Sequence, residues 1–211
     1  MDLAVDRYEL GPFRTNCYFV RTDRDALQAA VVDPGSDAAA LLLELARLKT
    51  RCAAILITHG HFDHLGGVGD LAEGTGAPVY MPAGERDRLE HYPDFAPADM
   101  PGRAHTPDTL LEGGETIDVA GISFECVSIP GHSPAHVAFY TDGHLFSGDL
   151  LFAGSVGRVD IPGGDWDTLL ASVRMLTDRF PADTIVYLGH GGTTTLGDEL
   201  AHNPFLAELR A

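Results

Sequence analysis

Four potential metal ligands lie close together in the sequence: His59, His61, Asp63 and His64 form the pattern H-x-H-x-D-H. Imidazole nitrogens and carboxylate oxygens suit Zn²⁺, Fe²⁺ and Mn²⁺, and such sites activate water when they keep an open position. Residues i and i+2 point to nearly opposite sides of a helix, so His59 and His61 could not share a metal there. They follow an apolar, strand-like run that ends at Thr58, which places them on a loop. The spacing therefore predicts a ligand loop that can serve two neighbouring metal positions.

Three more potential ligands each follow an apolar, strand-like run and stand beside a glycine. They are His132 after Pro130-Gly131, Asp149 after Ser147-Gly148, and His190 after Leu188-Gly189. A tight turn at a glycine can present such a side chain at the carboxyl edge of a sheet. A single histidine beside a strand is more often a hydrogen-bonded structural residue. Three such placements together with the first cluster predict the rest of a dinuclear shell.

The elements that must position these residues alternate between short apolar runs and amphipathic segments. The runs predict strands near 3–9, 15–21, 29–33, 53–58, 78–81 and 184–188, with more strands between 116 and 147; helical spacing predicts helices at 37–49, 65–74, 83–91 and 165–180. The stretch 92–107 holds four prolines and predicts a loop, either a lid or a surface excursion. Periodicity by itself indicates a mixed α/β chain.

Together these motifs resemble the metallo-β-lactamase superfamily and, within it, the hydroxyacylglutathione hydrolase (glyoxalase II) branch, in particular its short bacterial members. The resemblance runs from Arg14-Thr15-Asn16-Cys17-Tyr18 to Gly189-His190. It implies a four-layer αββα sandwich, formed by a single domain over residues 1–211. It also implies that His59, His61 and His132 hold one metal, while Asp63, His64 and His190 hold the other. Asp149 would bridge the two.

The same resemblance implies two divalent metal ions, zinc first, with iron or manganese as alternatives. The expected reaction is hydrolysis of a small-molecule thioester, S-D-lactoylglutathione or a related hydroxyacyl thioester, by a hydroxide that bridges the metals. Asp63 and Asp149 would be the catalytic carboxylates. The rival is a persulfide dioxygenase, which shares nearly all ligand positions but uses a single Fe²⁺ and O₂; lactone hydrolysis is a further alternative. Asp149, where zinc β-lactamases generally place a cysteine, argues against antibiotic hydrolysis.

Three residues outside the ligand set are candidates for supporting roles. Arg158 follows Asp149 in a glycine-flanked loop and could grip an anionic substrate or pair internally with Asp160. Asp33 could form a turn before Pro34-Gly35 or orient the ligand loop through a hydrogen bond. His136 is expected to contact the metal ligands without binding the metal, or to pack within the core. Few residues follow His190, so we expect no counterpart of the basic C-terminal domain of long glyoxalase II enzymes.

Composition limits the partners and the location. The chain has 31 acidic and 14 basic residues and a net charge of −17, which disfavours nucleic acid as a partner. No apolar run approaches the roughly 18 residues needed to cross a bilayer. The first residues, Met1 to Asp6, lack a basic and apolar leader, and the three cysteines lie far apart in apolar runs. We therefore expect a cytoplasmic protein with reduced thiols and no membrane partner.

Overall fold

The structure is a computed structural model that describes residues 3–210, so residues 1, 2 and 211 of the predicted domain lie outside the described residues. Its first sheet has six strands, which pair in chain order. They are Ala4–Leu10 (β1), Thr15–Arg21 (β2), Gln28–Val32 (β3), Arg51–Leu56 (β4), Val79–Pro82 (β5) and Thr109–Leu111 (β6). The strands β1 to β3 pair antiparallel, and β3 to β6 pair parallel.

A second six-stranded sheet has the order β14-β13-β10-β9-β8-β7, and β11 pairs with β12 in a separate hairpin. These strands are Thr116–Val119 (β7), Ile122–Ser128 (β8), Val137–Thr141 (β9), His144–Gly148 (β10), Leu151–Phe152 (β11), Ser155–Val156 (β12), Ile185–Leu188 (β13) and Thr194–Thr195 (β14). All neighbours in the sheet are antiparallel except β10 and β13. The carboxyl ends of β10 and β13 therefore meet at one edge.

Residues 3–210 form seven α-helices. They are Ala38–Leu48 (α1), Phe62–Leu65 (α2), Val68–Thr75 (α3), Arg86–Glu90 (α4), Tyr92–Phe95 (α5), Trp166–Arg179 (α6) and Leu196–His202 (α7), with 3₁₀ turns at Ala83–Glu85 and Pro204–Arg210. Asp37 and Asp165 cap α1 and α6, each accepting a hydrogen bond from a backbone N–H of the first turn. Among residues 3–210, no helix combines the length and apolar character that crossing a bilayer requires.

Three apolar cores separate four layers. Strand β2 is buried on both faces, because Phe19 packs toward α1 and α3 while Tyr18 packs toward the second sheet. A third core lies between the second sheet and α6, where Leu169 and Val173 meet Leu145. The arrangement is an αββα sandwich, which confirms the predicted fold class. All three cysteines are free and buried within these cores or at their edges.

The prediction of one helix at 65–74 is wrong in one respect. The structure has two helices, α2 and α3, with a break between them at Gly66-Gly67. A side chain at Gly66 would meet the carbonyl oxygen of Pro101, and one at Gly67 would meet that of Pro34. The N–H of Gly67 donates to the carbonyl of Gly35 rather than within a helix. This long-range packing starts the helical turn earlier than predicted and places Asp63 and His64 inside α2.

The stretch 92–107 is not wholly a loop, because it begins with α5. Pro93 stands in the first turn of this helix, where its missing N–H costs nothing. The hydroxyl of Tyr92 donates to the carbonyls of Phe62 and Pro101, and Arg103 pairs with Asp70. These contacts connect the stretch to α2 and α3. Short elements at β6, β11, β12, β14 and α7 were also not predicted.

Candidate metal centre

The seven predicted ligands converge where the two sheets present their carboxyl ends. His59 and His61 lie on the loop after β4, and Asp63 and His64 lie in the short helix α2 that follows it. The remaining three follow strands of the second sheet: His132 after β8, Asp149 after β10 and His190 after β13. One loop of the first sheet thus faces three loops of the second.

The first group brings together His59, His61 and His132, with one potential ligand atom of each within 4.8 Å of the others. Nδ1 of His61 lies 2.8 Å from Nε2 of His132. The ring of His59 stands edge-on to both neighbours. These three nitrogens come from both sheets, so this group exists only in the assembled sandwich.

The second group brings together Asp63, His64 and His190 within the same limit. Oδ2 of Asp63 is 3.3 Å from Nε2 of His190 and 3.7 Å from Nε2 of His64. The hydroxyl of Thr15 donates to Oδ2 of Asp63 at 2.8 Å, a contact that local sequence patterns could not reveal.

Asp149 lies between the two groups. Its Oδ1 is 3.4 Å from Nε2 of His64, and its Oδ2 is 3.4 Å from Nε2 of His190 and 3.7 Å from Nε2 of His132. The backbone leaves just enough room for this carboxylate, since a Cβ on Gly189 would stand 1.9 Å from Oδ1. One carboxylate therefore reaches potential ligands of both groups, which is the arrangement that a bridging residue needs.

Several atoms at the centre are buried among residues 3–210 without a hydrogen-bond partner there. They are Nε2 of His59, Nε2 of His64 and Oδ1 of Asp149. Burying such groups unpaired is costly, so their convergence on one point calls for a cation. A set of nitrogen and carboxylate donors is what divalent transition metals accept. The residues present thus fit the metal ions that the ligand pattern predicts.

Four histidines form a hydrogen bond through Nδ1, on the side of the ring that points away from the centre. Their Nε2 atoms therefore face the centre. The partners are Oγ1 of Thr58 for His59 (3.0 Å), Oδ2 of Asp33 for His64 (3.0 Å), the carbonyl of Arg158 for His132 (2.8 Å) and the carbonyl of Phe13 for His190 (3.1 Å). Such partners fix the tautomer and the orientation of a ligand ring before the metal arrives.

Asp33 lies in a turn and also forms hydrogen bonds to the ligand loop, which are the two roles that its sequence position left open. Its backbone has a positive φ of 48°, as a turn residue. Its carboxylate accepts from the N–H of Thr58 at 2.9 Å, from the hydroxyl of Thr58 at 2.7 Å, and lies against His64. This carboxylate therefore orients the strand end and one potential ligand together.

His136 is fully buried and belongs to neither group. Its ring packs against that of His59, with centroids 4.6 Å apart, and neither of its ring nitrogens has a partner among the described residues. Burial keeps its pKa well below the ordinary value, so the ring is neutral. The structure places His136 outside both ligand groups, with its ring against that of His59.

The pKa values differ between the two groups. Burial lowers the pKa of His59 and His132 and lowers that of His61 to about 4. Burial alone would also lower the pKa of His64 and His190, but neighbouring carboxylates outweigh it. The pKa of His64 is held well above the ordinary value, and that of His190 rises to about 10.

The two carboxylates at the centre respond in the opposite sense. Burial by itself would raise the pKa of Asp63 and of Asp149. The nearby His64 and the hydrogen bond from His190 outweigh burial in both cases, and the pKa of Asp63 falls to about 2. Both side chains are therefore carboxylates at neutral pH.

Glu85 is a buried residue of the centre that sequence reasoning missed. Its carboxylate accepts from the N–H of Gly60, between two potential ligands, and from the hydroxyl of Ser133, next to His132. It also accepts from the N–H of Ala135 at 3.2 Å. One side chain thus joins the ligand loop of the first sheet to that of the second. No local pattern signals such a role.

A cavity of about 320 Å³ opens over the two groups. Its walls outside the potential ligands are the apolar side chains Phe13, Phe62, Ile161 and Pro162 and the cations Arg88 and Arg158. Arg158 pairs with Asp160 through two contacts, 2.7 Å from Nε to Oδ1 and 2.9 Å from Nη2 to Oδ2. The internal pair that the sequence left open is therefore present.

An αββα sandwich that gathers histidine and aspartate side chains at the carboxyl ends of both sheets defines a class of metal-dependent enzymes. The chain belongs to the metallo-beta-lactamase superfamily, whose family model matches residues 10–190. The predicted membership is confirmed. The superfamily and the names of the relatives indicate a metal-dependent hydrolase.

The relatives include both short and long proteins. The chain is 35% identical to "Hydroxyacylglutathione hydrolase GloC" of Haemophilus influenzae, over 92% of this chain and 93% of that protein. It is 38% identical to "Hydroxyacylglutathione hydrolase" of Halorhodospira halophila, over 86% of this chain and 63% of that longer protein.

Two solved structures are similar over nearly the whole chain. "BLEG-1 B3 metallo-beta-lactamase" superposes with a TM-score of 0.90 and 38% identity, covering 97% of this chain and all of that one. "TTHA1623 in a di-iron-bound form" superposes with a TM-score of 0.84 and 39% identity, covering 95% of this chain and all of that one.

Proposed function

We propose that the protein hydrolyses a small-molecule thioester, with S-D-lactoylglutathione or a related hydroxyacyl thioester as the first candidate. The observation that carries this proposal is the position of Asp149, whose carboxylate lies within 3.7 Å of histidine nitrogens in both groups. A centre built for two ions suits the hydrolysis of an activated acyl bond. The relative named GloC supports this substrate class.

His59, His61 and His132 would hold one ion, and Asp63, His64 and His190 the other, with Asp149 shared. Divalent ions held by such donors act as Lewis acids, which lower the pKa of a bound water toward about 7 and polarise a carbonyl. Zinc is the first choice, and iron and manganese suit the same donors. The di-iron form of TTHA1623 supports iron as the alternative.

The chain's own residues prepare the site for this chemistry. Because the pKa of Asp63 is about 2, it stays a carboxylate and can orient a hydrogen-bond donor but cannot donate a proton. The hydroxyl of Thr15 fixes one of its oxygens. The rings of Phe13 and Phe62 stand edge to face with centroids 5.1 Å apart and form an apolar wall that suits the carbon chain of a substrate.

The test is a substrate panel on the protein loaded with zinc and, separately, with iron. It contains S-D-lactoylglutathione, an uncharged thioester, a lactone, a β-lactam and glutathione persulfide with an oxygen electrode. We expect kcat/KM to be highest for a thioester in the zinc form. Oxygen consumption with the persulfide by a protein holding one iron, without thioester hydrolysis, would replace the proposal by a persulfide dioxygenase.

β-Lactam hydrolysis is the second candidate, because the similarity to BLEG-1 extends over 97% of this chain at a TM-score of 0.90. Asp149, which stands where zinc β-lactamases generally place a cysteine, argues for the thioester instead. A β-lactam turned over faster than every thioester of the panel would reverse this order.

A further inference from the structure

We infer that Arg88 forms an anion-binding subsite in the cavity, so that the substrate carries a carboxylate or a phosphate. This inference rests on the proposed function only in taking the cavity as the place where the substrate binds. Neither a sequence motif nor the ligand pattern points to Arg88. The inference comes from where its side chain lies and from what surrounds it.

The first carbons of the Arg88 side chain lie beside the first ligand group. The side chain extends from the short helix α4 and packs against Gly60, where an added Cβ would stand 2.9 Å from Cγ of Arg88. Gly60 lies between His59 and His61. Arg88 is half-buried and lines the cavity next to the centre at which the reaction would occur.

The guanidinium of Arg88 also lacks an acidic partner in the part of the chain that the structure describes. No ion pair among residues 3–210 includes it, whereas Arg86 on the same helix pairs with Glu90 and Arg158 across the cavity pairs with Asp160. Its contact is with the ring of Phe95, whose centroid is 4.3 Å from Cζ. An aromatic face holds a cation in place without neutralising its charge.

An unneutralised arginine on a cavity wall is notable in a chain of net charge −17. The guanidinium presents two parallel N–H donors, which match a carboxylate or a phosphate. Arg158 is less suited to this role, because it is 66% exposed and Asp160 already occupies its donors. The cavity therefore combines apolar walls, for a carbon chain, with one cation that is free to bind an anion.

Binding of thioethers that the enzyme cannot hydrolyse tests the subsite separately from catalysis. Isothermal calorimetry on the metal-loaded protein compares S-methylglutathione with its dimethyl ester, and S-methyl-coenzyme A with S-methylpantetheine. The first pair isolates carboxylates and the second isolates phosphates. The variants are Arg88→Met, which keeps an unbranched stem against Gly60, Arg88→Lys, which keeps the charge, and the control Arg86→Met on the same helix.

We expect Arg88→Met to weaken binding of one anionic thioether about ten- to hundredfold, and binding of the counterpart that lacks the carboxylates or phosphates less than twofold. Arg88→Lys should restore part of the loss, and Arg86→Met should change neither. A further variant, Arg158→Met, tests the other arginine of the cavity. Equal losses on the probes with and without the anionic groups, no measurable binding of either anionic probe by the unchanged protein, or a larger effect of Arg158→Met would each overturn the inference. Intact Arg88-dependent binding without thioester hydrolysis would instead overturn the proposed function alone.

Discussion

The side chain of Asp149 lies between the two ligand groups of the centre. It is the one carboxylate within 3.7 Å of potential ligands in both groups among residues 3–210, and its closest histidine nitrogens are on His64 and His190. The carboxylate also raises the pKa of both of these histidines. Removing the Asp149 carboxylate should therefore take away the link between the two ligand groups, while the packing of the apolar cores stays unchanged.

Replacing Asp149 by Ala should reduce kcat at least a hundredfold and lower the metal content, while the melting temperature of the metal-free protein changes little. The physical reason is that a shared carboxylate sets the spacing of the two ions, whereas β10 packs through Leu145 and Phe146. Steady-state kinetics, metal analysis and thermal melts measure the three quantities. Near-normal turnover with intact metal content would show that Asp149 is not the bridge.

The contrast in pKa between the groups predicts the order in which the ions are lost on acidification. A proton and a metal ion compete for the same nitrogen, so a histidine with a raised pKa releases its metal at a higher pH. His64 faces Asp33, Asp63 and Asp149, and His190 faces Asp63 and Asp149. The first group stays deprotonated to a lower pH, since the pKa of His61 is about 4.

We therefore expect the ion of the second group to dissociate first as the pH falls, and the ion of the first group to remain to a lower pH, because the pKa of His61 is about 4. Metal content after equilibration at graded pH measures this directly. The variant His61→Ala, which weakens the first group, should abolish the second step. Simultaneous loss of both ions, or loss from the first group before the second, would contradict the assignment.

At the scale of elements, the 3₁₀ turn Ala83–Glu85 holds two ligand loops together. Glu85 accepts hydrogen bonds from both loops, and it is buried. Glu199 offers a matched control, because it is also buried and accepts three hydrogen bonds, from the N–H of Gly154 (2.9 Å), the hydroxyl of Thr194 (2.6 Å) and the side-chain amide of Asn203 (2.7 Å). None of those three residues is a potential ligand.

Glu85→Ala should weaken metal binding at the first group at least tenfold, because the two loops lose their common acceptor, while Glu199→Ala should lower the melting temperature without this loss. Competition with a chelator of known affinity measures the metal affinity, and the spectrum of bound Co²⁺ reports the ligand geometry. Glu85→Gln should recover part of the affinity. Equal metal affinities in Glu85→Ala and Glu199→Ala would mean that Glu85 supports stability alone.

Local patterns in the sequence predict those parts of the fold that local forces determine. Leu41 and Leu45 indicate α1 because helical spacing puts them on one face, and the spacing of His59 and His61 indicates a loop for the same geometric reason. The break at Gly66-Gly67 depends on backbone contacts with Pro34 and Pro101, which no window of sequence contains. The roles of Thr15 and Glu85 depend likewise on partners 48 residues away.

At the scale of the whole molecule, the metal centre lies across the junction of the two sheets. His59 and His64 belong to the first half of the sandwich, and His132 and His190 to the second. The junction has further contacts beside the centre. Thr15 of β2 forms a bridge with His190, and the side chain of Asn16 donates to the carbonyls of Leu188 and Gly191. Bound ions would therefore connect the two sheets directly.

We expect about two ions per chain as isolated, and removal of the ions should lower the melting temperature. A ligand at a hundred times its dissociation constant contributes about 2.7 kcal/mol, which corresponds to roughly 5–11 °C for a protein of this size. Elemental analysis and melts with and without chelator measure both. A fully active sample with a single iron would contradict the two-ion centre and support the dioxygenase alternative.

The division of each ligand group between the two sheets has a consequence for how the protein is made. The group of His59 and His61 is complete only after His132 has been synthesised, and the group of Asp63 and His64 only after His190 has been synthesised. A chain still being synthesised therefore offers neither of these two groups complete until His132 and His190 have been made. We expect metal to be acquired after both halves of the sandwich have been made, and the ion that binds to depend on which divalent ions the cell supplies at that moment.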